Sequence, residues 1–157
     1  MIRKVLFLCE QNSARSQMAE AFLKKKAPEN FEAYSAGSEP AERVQPLTID
    51  VMKRFDFDIS EFKTKSIDQF KNEKFDFVIT LCDKAKESCP SFPGKPLFAH
   101  WGFQDPVDFV GTEEEKREFF YKIARHIETR INLFISLPME SLDKMALEQQ
   151  VRNIANI

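Results

Sequence analysis

Apolar residues run almost unbroken from Ile2 to Leu8 behind the basic pair Arg3-Lys4, the pattern of a strand buried on both faces. From Ser16 to Lys26, Met18, Ala19, Phe22 and Leu23 recur at helical spacing with lysines opposite, and Pro28 follows the expected end, which predicts a first helix. Phe31 to Ala36 reads as a second strand stopped by Gly37. Val44 to Phe55 reads as a second helix carrying Val44, Leu47, Val51 and Phe55 inward, with Phe57, Ile59 and Phe62 packed under the loop that follows. Ser66 to Lys71 is a short helical piece, Phe75 to Leu81 a third, buried strand, and Pro96 to His100 a brief fourth. Thr112 stands as a cap before Glu113, Glu114 and Glu115. Beyond them Phe119, Phe120, Ile123, Ile127, Ile131 and Phe134 form the stripe of a long amphipathic helix. After Pro138, Leu142, Met145 and Leu147 predict a last short helix, expected to dock back on the domain rather than to meet a partner.

Strands alternating with helices argue for an α/β fold, here a single-domain, doubly wound, four-stranded parallel sheet of order 2-1-3-4. A chain of 157 residues fits one domain. Residues 1–135 should form its body and residues 136–157 a helical tail of the same domain. Such sheets bind ligands beyond the carboxyl ends of their strands, where strand order reverses. Cys9 follows the first strand, Cys82 the third and the Asp105 loop the fourth, so the residues that carry chemistry converge on that edge, with Cys9 and Cys82 side by side.

Lys plus Arg number 23 against 25 Asp plus Glu, a formal charge of −2, and no basic block extends beyond Lys24-Lys25-Lys26. Nucleic acid and membrane are therefore not expected partners. Arg3-Lys4 and the apolar residues behind it resemble the start of a signal peptide, but Glu10 ends the run short of the roughly 7 to 15 residues that one requires. A soluble, cytoplasmic protein is expected. Three cysteines, Cys9, Cys82 and Cys89, are too few and too uneven for a secreted disulfide framework, and they lack the paired spacing of a zinc site. No metal and no organic cofactor is expected.

Cys9-Glu10-Gln11-Asn12-Ser13-Ala14-Arg15-Ser16 runs from a strand end into a helix start, where backbone N–H groups and the helix dipole make an anion site. That field, with Arg15, favours a thiolate at Cys9 and hence a nucleophile. The planar fork of Arg15 can hold two oxygens of a tetrahedral oxyanion against the sulfur, a geometry that lysine cannot copy. Asn12 is one of the few residues besides glycine that tolerates a left-handed backbone, which a tight cradle needs. Seven residues separate Cys82 from Cys89, so an intact helix holds the two sulfurs on nearly one face but about 10.5 Å apart along the axis, too far for a disulfide. Joining them requires the segment to unwind, and Pro90, Pro93, Gly94 and Pro96 supply a loop that could absorb the change.

The loop resembles the Cys-x-x-Asn-x-x-Arg-Ser signature of the low-molecular-weight protein tyrosine phosphatase superfamily. Gln17-Met18-Ala19-Glu20-Ala21, Tyr34-Ser35-Ala36-Gly37, Val78-Ile79-Thr80-Leu81-Cys82 and His100-Trp101-Gly102-Phe103-Gln104-Asp105-Pro106 are similar to its arsenate reductase branch. The resemblance covers about residues 2–135. Gln11 departs from a glycine common in the loop, and Ala14 from a second cysteine, which removes one candidate disulfide partner for Cys9. Glu10 adds a negative charge whose side chain should point away from the anion. Val107-Asp108 replaces the aromatic that phosphatases of the family place after the proline, which weakens a phosphotyrosine reading. The resemblance implies arsenate as substrate, Glu10 to Ser16 as its binding loop, and Cys9, Arg15, Asp105, Cys82 and Cys89 as the catalytic set. Asp105 is the implied general acid, and Cys82–Cys89 the redox disulfide, reduced by thioredoxin, glutaredoxin or a small thiol. The alternative is a phosphatase that hydrolyses phosphate monoesters with Cys9, Arg15 and Asp105 alone. His100 and His126 are expected to be structural or solvated, and Trp101 and Phe103 to pack the active-site loop.

Overall fold

In the computed structural model, which describes all residues from Met1 to Ile157, the chain forms β1 (Arg3–Cys9), α1 (Arg15–Lys26), β2 (Phe31–Gly37), α2 (Pro46–Lys53), β3 (Phe77–Thr80), α3 (Asp83–Ser88), β4 (Leu97–His100), α4 (Glu113–Ile135) and α5 (Lys144–Asn153). Single 3₁₀ turns lie at Ile67–Phe70, Pro106–Asp108 and Ile154–Asn156. All strand pairs are parallel and their order is β2-β1-β3-β4, as the alternating pattern predicts. The register sets Cys9 against Gly37, Leu8 against Thr80, and Thr80 against His100. The carboxyl ends of β1, β3 and β4 therefore share one edge, and the reversal of strand order falls between β1 and β3. No helix is long and apolar enough to cross a membrane.

Several elements differ from the sequence pattern for identifiable reasons. In α1, Arg15 to Leu23 are all buried, with the lysines confined to the last turn. This helix packs on the sheet and also against α4 and α2, so its polar residues Gln17 and Glu20 face protein instead of water. The second helix begins at Pro46, whose fixed φ suits a first helical position, and it buries Thr48, Val51 and Met52 while Leu47 and Phe55 are only half-buried. β3 is shorter than its apolar run, since only Phe77 to Thr80 are flanked on both sides. Thr112 caps α4 reciprocally with Glu115, as the acidic start predicts.

The tail docks. β4 has a neighbour on one side only, and on the other the Phe98 N–H donates to Glu148 Oε2 (3.1 Å) while the Phe98 carbonyl accepts from Arg152 Nε (3.0 Å). Side chains of α5 thus satisfy an edge that would otherwise be open to pairing. The inward residues are Leu147, Val151 and Ile154, whereas Met145 is 83% exposed, contrary to the expected stripe. Trp101 is fully buried between Phe7 and Phe134, and its Nε1 donates to the Val151 carbonyl (2.9 Å), so it fastens the tail.

Candidate active site

The loop between β1 and α1 is turned so that its carbonyls face outward. Those of Cys9, Glu10, Gln11 and Ser13 accept from the N–H groups of Ser38, Glu39, Ala41 and Gln45. In a planar trans peptide the next residue's N–H points the opposite way, so the N–H groups of Glu10, Gln11, Asn12 and Ala14 face inward. The Asn12 N–H reaches the Cys9 sulfur at 3.3 Å. Asn12 takes φ of 54°, the left-handed conformation expected of it. The loop leads into α1, whose start at Ala14 has no side-chain cap. A buried, uncapped helix start leaves backbone donors for an anion to satisfy.

Beneath the loop runs a buried polar network. Asn12 Nδ2 donates to the hydroxyls of Ser16 (2.7 Å) and Ser35 (3.0 Å), and Ser35 donates to Glu20 Oε1 (2.6 Å). Glu20, 3% exposed, is neutralised by Lys24 at 2.7 Å and Lys65 at 3.4 Å. Gln17 Nε2 donates to the Asn12 carbonyl and side-chain oxygen, both at 3.0 Å. Of these residues only Asn12 and Ser16 were expected in the site. Gln17, Glu20 and Ser35 stand in the motifs that carried the resemblance, but nothing in their spacing assigns them a role. Gly37 has a reason beyond stopping a strand: a Cβ there would lie 2.5 Å from the Glu10 carbonyl oxygen and 3.0 Å from the Asn12 nitrogen.

Cys9 is 2% exposed, with Ser16 Oγ 2.8 Å from its sulfur. Because Ser16 Oγ already accepts from Asn12, its own hydrogen is free to point at sulfur. Burial pushes the Cys9 thiol up, opposed by the charge of Arg15, by hydrogen bonds from the Ser16 hydroxyl and N–H, and by the Asn12 N–H. Burial is the larger effect, and the loop and Arg15 work against it. Arg15, 7% exposed, spans the mouth: Nη1 donates to the Phe103 carbonyl (3.2 Å) and Nη2 pairs with Asp105 Oδ2 (3.3 Å). Asp105 Oδ1 accepts from the Val107 N–H at 3.1 Å, so the acid caps the turn that follows it.

Cys82 lies two residues past Thr80, at the end of the strand beside β1, and its sulfur accepts from the Ala85 N–H at 3.4 Å, capping α3. Cys89 closes the same helix from the other end, is half-buried, and has its thiol raised by that burial. All three thiols are free. Glu10 points out of the loop to Lys84 Nζ (2.9 Å), as its charge requires. His100 bridges Thr80 Oγ1 (2.7 Å) and Asp83 Oδ1 (3.2 Å), a structural role, while His126 meets the Ile157 carbonyl (3.0 Å). No cluster of His, Cys, Asp and Glu suited to a metal ion is present.

Residues 4–150 match the family described as low molecular weight phosphotyrosine protein phosphatase. The chain is 44% identical over 135 residues to an arsenate reductase of Oceanobacillus iheyensis, covering 85% of this chain and 96% of that one. It also resembles the solved structure of an arsenate reductase in the phosphate binding state, with TM-score 0.69, 30% identity and coverage of 85% and 97%. A thioredoxin-dependent arsenate reductase from Corynebacterium glutamicum aligns with TM-score 0.57 and 29% identity, over 84% of this chain and 63% of that one.

Proposed function

The chain belongs to the low molecular weight phosphotyrosine protein phosphatase family, and from that premise we propose that it is an arsenate reductase working through Cys9, Cys82 and Cys89. The observation that carries this reading is the placement of two further thiols beside the nucleophile, Cys82 at the end of the adjacent strand and Cys89 across a six-residue helix. A phosphatase needs neither.

In the proposed sequence the Cys9 thiolate attacks arsenic while Arg15 and the inward N–H groups of Glu10, Gln11, Asn12 and Ala14 hold the oxyanion, with Ser16 completing the support of the sulfur. Asp105 delivers a proton to the departing oxygen, which leaves as water and yields a Cys9 sulfur–arsenic bond. Cys82 then attacks the Cys9 sulfur. The sulfur–arsenic bond breaks, its electron pair stays on arsenic, and arsenite leaves a Cys9–Cys82 disulfide. Cys89 next attacks the Cys82 sulfur, releasing the Cys9 thiolate and forming Cys82–Cys89, which an external dithiol reduces. The balance is one arsenate and two thiols to one arsenite, one disulfide and water. No metal or organic cofactor enters any step. The name of the Corynebacterium relative supports thioredoxin as that dithiol, with glutaredoxin or a small thiol as the other candidates. A relay that starts from three free thiols suits the cytoplasm, where thiols are kept reduced.

The test is arsenate-dependent NADPH consumption in the presence of thioredoxin and its reductase, run beside hydrolysis of an aryl phosphate. Sustained turnover of arsenate is expected. Hydrolysis of the ester without reduction of arsenate would leave the phosphatase reading in its place.

A further inference from the structure

Asp105 is delivered by a segment with no regular structure, Trp101 to Asp105, and one side chain of α4 ties that segment down from behind. Arg130 is 4% exposed. Its donors go to carbonyls on two separate stretches: Nη1 to Gly102 (3.2 Å), Nη2 to Ala155 (3.0 Å) and Ile157 (3.3 Å). Its guanidinium also lies over the Phe103 ring, 4.4 Å from the centroid. A buried guanidinium is costly to keep unless its donors are satisfied, and apolar side chains on the same face, Ile127 and Ile131, show what the position would otherwise take. What Arg130 gains is a joint between the tail and the backbone of Gly102 and Phe103.

That backbone leads straight to the chemistry. The Phe103 N–H is held by the Leu81 carbonyl (3.0 Å), its carbonyl receives Arg15 Nη1, and Asp105 stands two residues on, against Arg15 Nη2. The next residue back, Trp101, is fastened to the tail through Val151. We propose that Arg130 is a positioning residue for the acid loop: by clamping Gly102 and Phe103 to the segment after α5, it sets where Asp105 stands relative to Arg15 and Cys9. The assignment of a proton-transfer role to Asp105 rests on the function proposed above; the clamp itself does not.

The test uses Arg130→Met and Arg130→Lys in the full chain, each with Asp105 intact and with Asp105→Asn. Displacing a reacting group by about 1 Å costs up to roughly a hundredfold in rate, so Arg130→Met should lower kcat about tenfold or more while phosphate affinity changes little. In the Asp105→Asn background the same substitution should lower kcat less than about twofold, since a misplaced acid matters only where the acid exists. Arg130→Lys keeps the charge but not the fork and should lie between. Equal losses in both backgrounds would overturn the proposal, because Arg130 would then be acting on the fold at large.

Amide exchange gives a readout independent of turnover. In Arg130→Lys the Val107 N–H, which Asp105 accepts, should exchange faster while amides of the Cys9 loop keep their protection. Unchanged exchange at Val107 would equally overturn the clamp. Should the wild type turn over neither arsenate nor aryl phosphate, the proposed function falls, and the exchange result still decides the clamp. If Arg130→Met does not fold, Arg130→Lys carries both measurements.

Discussion

Ser16→Ala isolates the support of the nucleophile from the rest of the loop. Ser16 is fully buried, its hydroxyl is 2.8 Å from the Cys9 sulfur, and the bond from Asn12 Nδ2 orients its hydrogen toward that sulfur. Alanine removes one oxygen and leaves the Ser16 N–H, the Asn12 N–H and Arg15 in place. A hydrogen bond to a charged group is worth about 1.5 to 3 kcal/mol, and about 1.4 kcal/mol is a factor of ten in an equilibrium, so the thiolate fraction should fall by about ten- to a hundredfold. The bond favours the charged form, so its loss moves the Cys9 pKa up, in the direction burial already pushes it. Alkylation of Cys9 by iodoacetamide at neutral pH should therefore slow by about ten- to a hundredfold, and its pH profile should shift alkaline. The measurement is cleanest with Cys82 and Cys89 both changed to serine, so that one thiol reports. An unshifted profile would show that the hydroxyl does not stabilise the thiolate and that the 2.8 Å contact is packing alone.

Arg15→Lys should lower turnover by about a hundredfold, the usual cost of one oxyanion donor, because an ammonium cannot reach the Phe103 carbonyl, Asp105 and the substrate together; near-normal kcat/KM would remove Arg15 from the cradle. Cys82→Ser and Cys89→Ser should spare aryl phosphate hydrolysis yet stop repeated arsenate reduction, the second after one arsenite per enzyme with a Cys9–Cys82 disulfide found by non-reducing peptide mapping. Many cycles in both variants would refute the relay. In the wild type, oxidation to Cys82–Cys89 should speed amide exchange across residues 83–88, and unchanged protection there would mean that α3 survives the bond. Gly37→Ala places a Cβ against two backbone atoms of the loop, an overpacking of about 1 to 3 kcal/mol. It should lower Tm by roughly 2 to 4 °C per kcal/mol for a chain of this size and weaken phosphate binding, and a wild-type Tm with wild-type affinity would show that the loop can move aside.

The strand order and the edge on which Cys9, Cys82 and Asp105 meet were legible because parallel strands announce themselves as apolar runs and their order follows from alternation with helices. Asn12 was legible for a different reason, since few residues accept a φ of 54° and the loop needed one that does. The network beneath the loop was not. Gln17 and Glu20 lie outside the apolar stripe of the first helix, and only the packing of α1 under α4 and α2 turns them inward. Gly37 likewise read as a strand breaker, though it pairs in register with Cys9 and is required by a backbone that passes 2.5 Å from its missing Cβ. Arg130 was hidden inside the apolar stripe of α4. The helix start and Arg15 beside Cys9 are visible in sequence, while the depth of burial that opposes them is not.

The short helix between the two redox thiols ties these observations together. Six residues are too few for a helix to persist on propensity, so α3 depends on its fastenings. Two of them, Lys84 to Glu10 and His100 to Asp83, are exposed or nearly so on one partner and contribute little. The third is the Cys82 sulfur, which accepts the Ala85 N–H and so caps the helix start. When that sulfur attacks Cys9 it leaves the cap position, and a disulfide sulfur is in any case a weaker acceptor than a thiolate. The step that releases arsenite in the proposed sequence is therefore the same step that loosens α3. Cys82 and Cys89 cap opposite ends of α3, and a helix of six residues spans about 9 Å along its axis, against a bonding limit of roughly 7 Å between Cα atoms. In the proposed sequence this coupling would set the order of the relay, with Cys89 held at the far end of α3 while Cys82 is needed for Cys9 and freed to approach once that bond has formed.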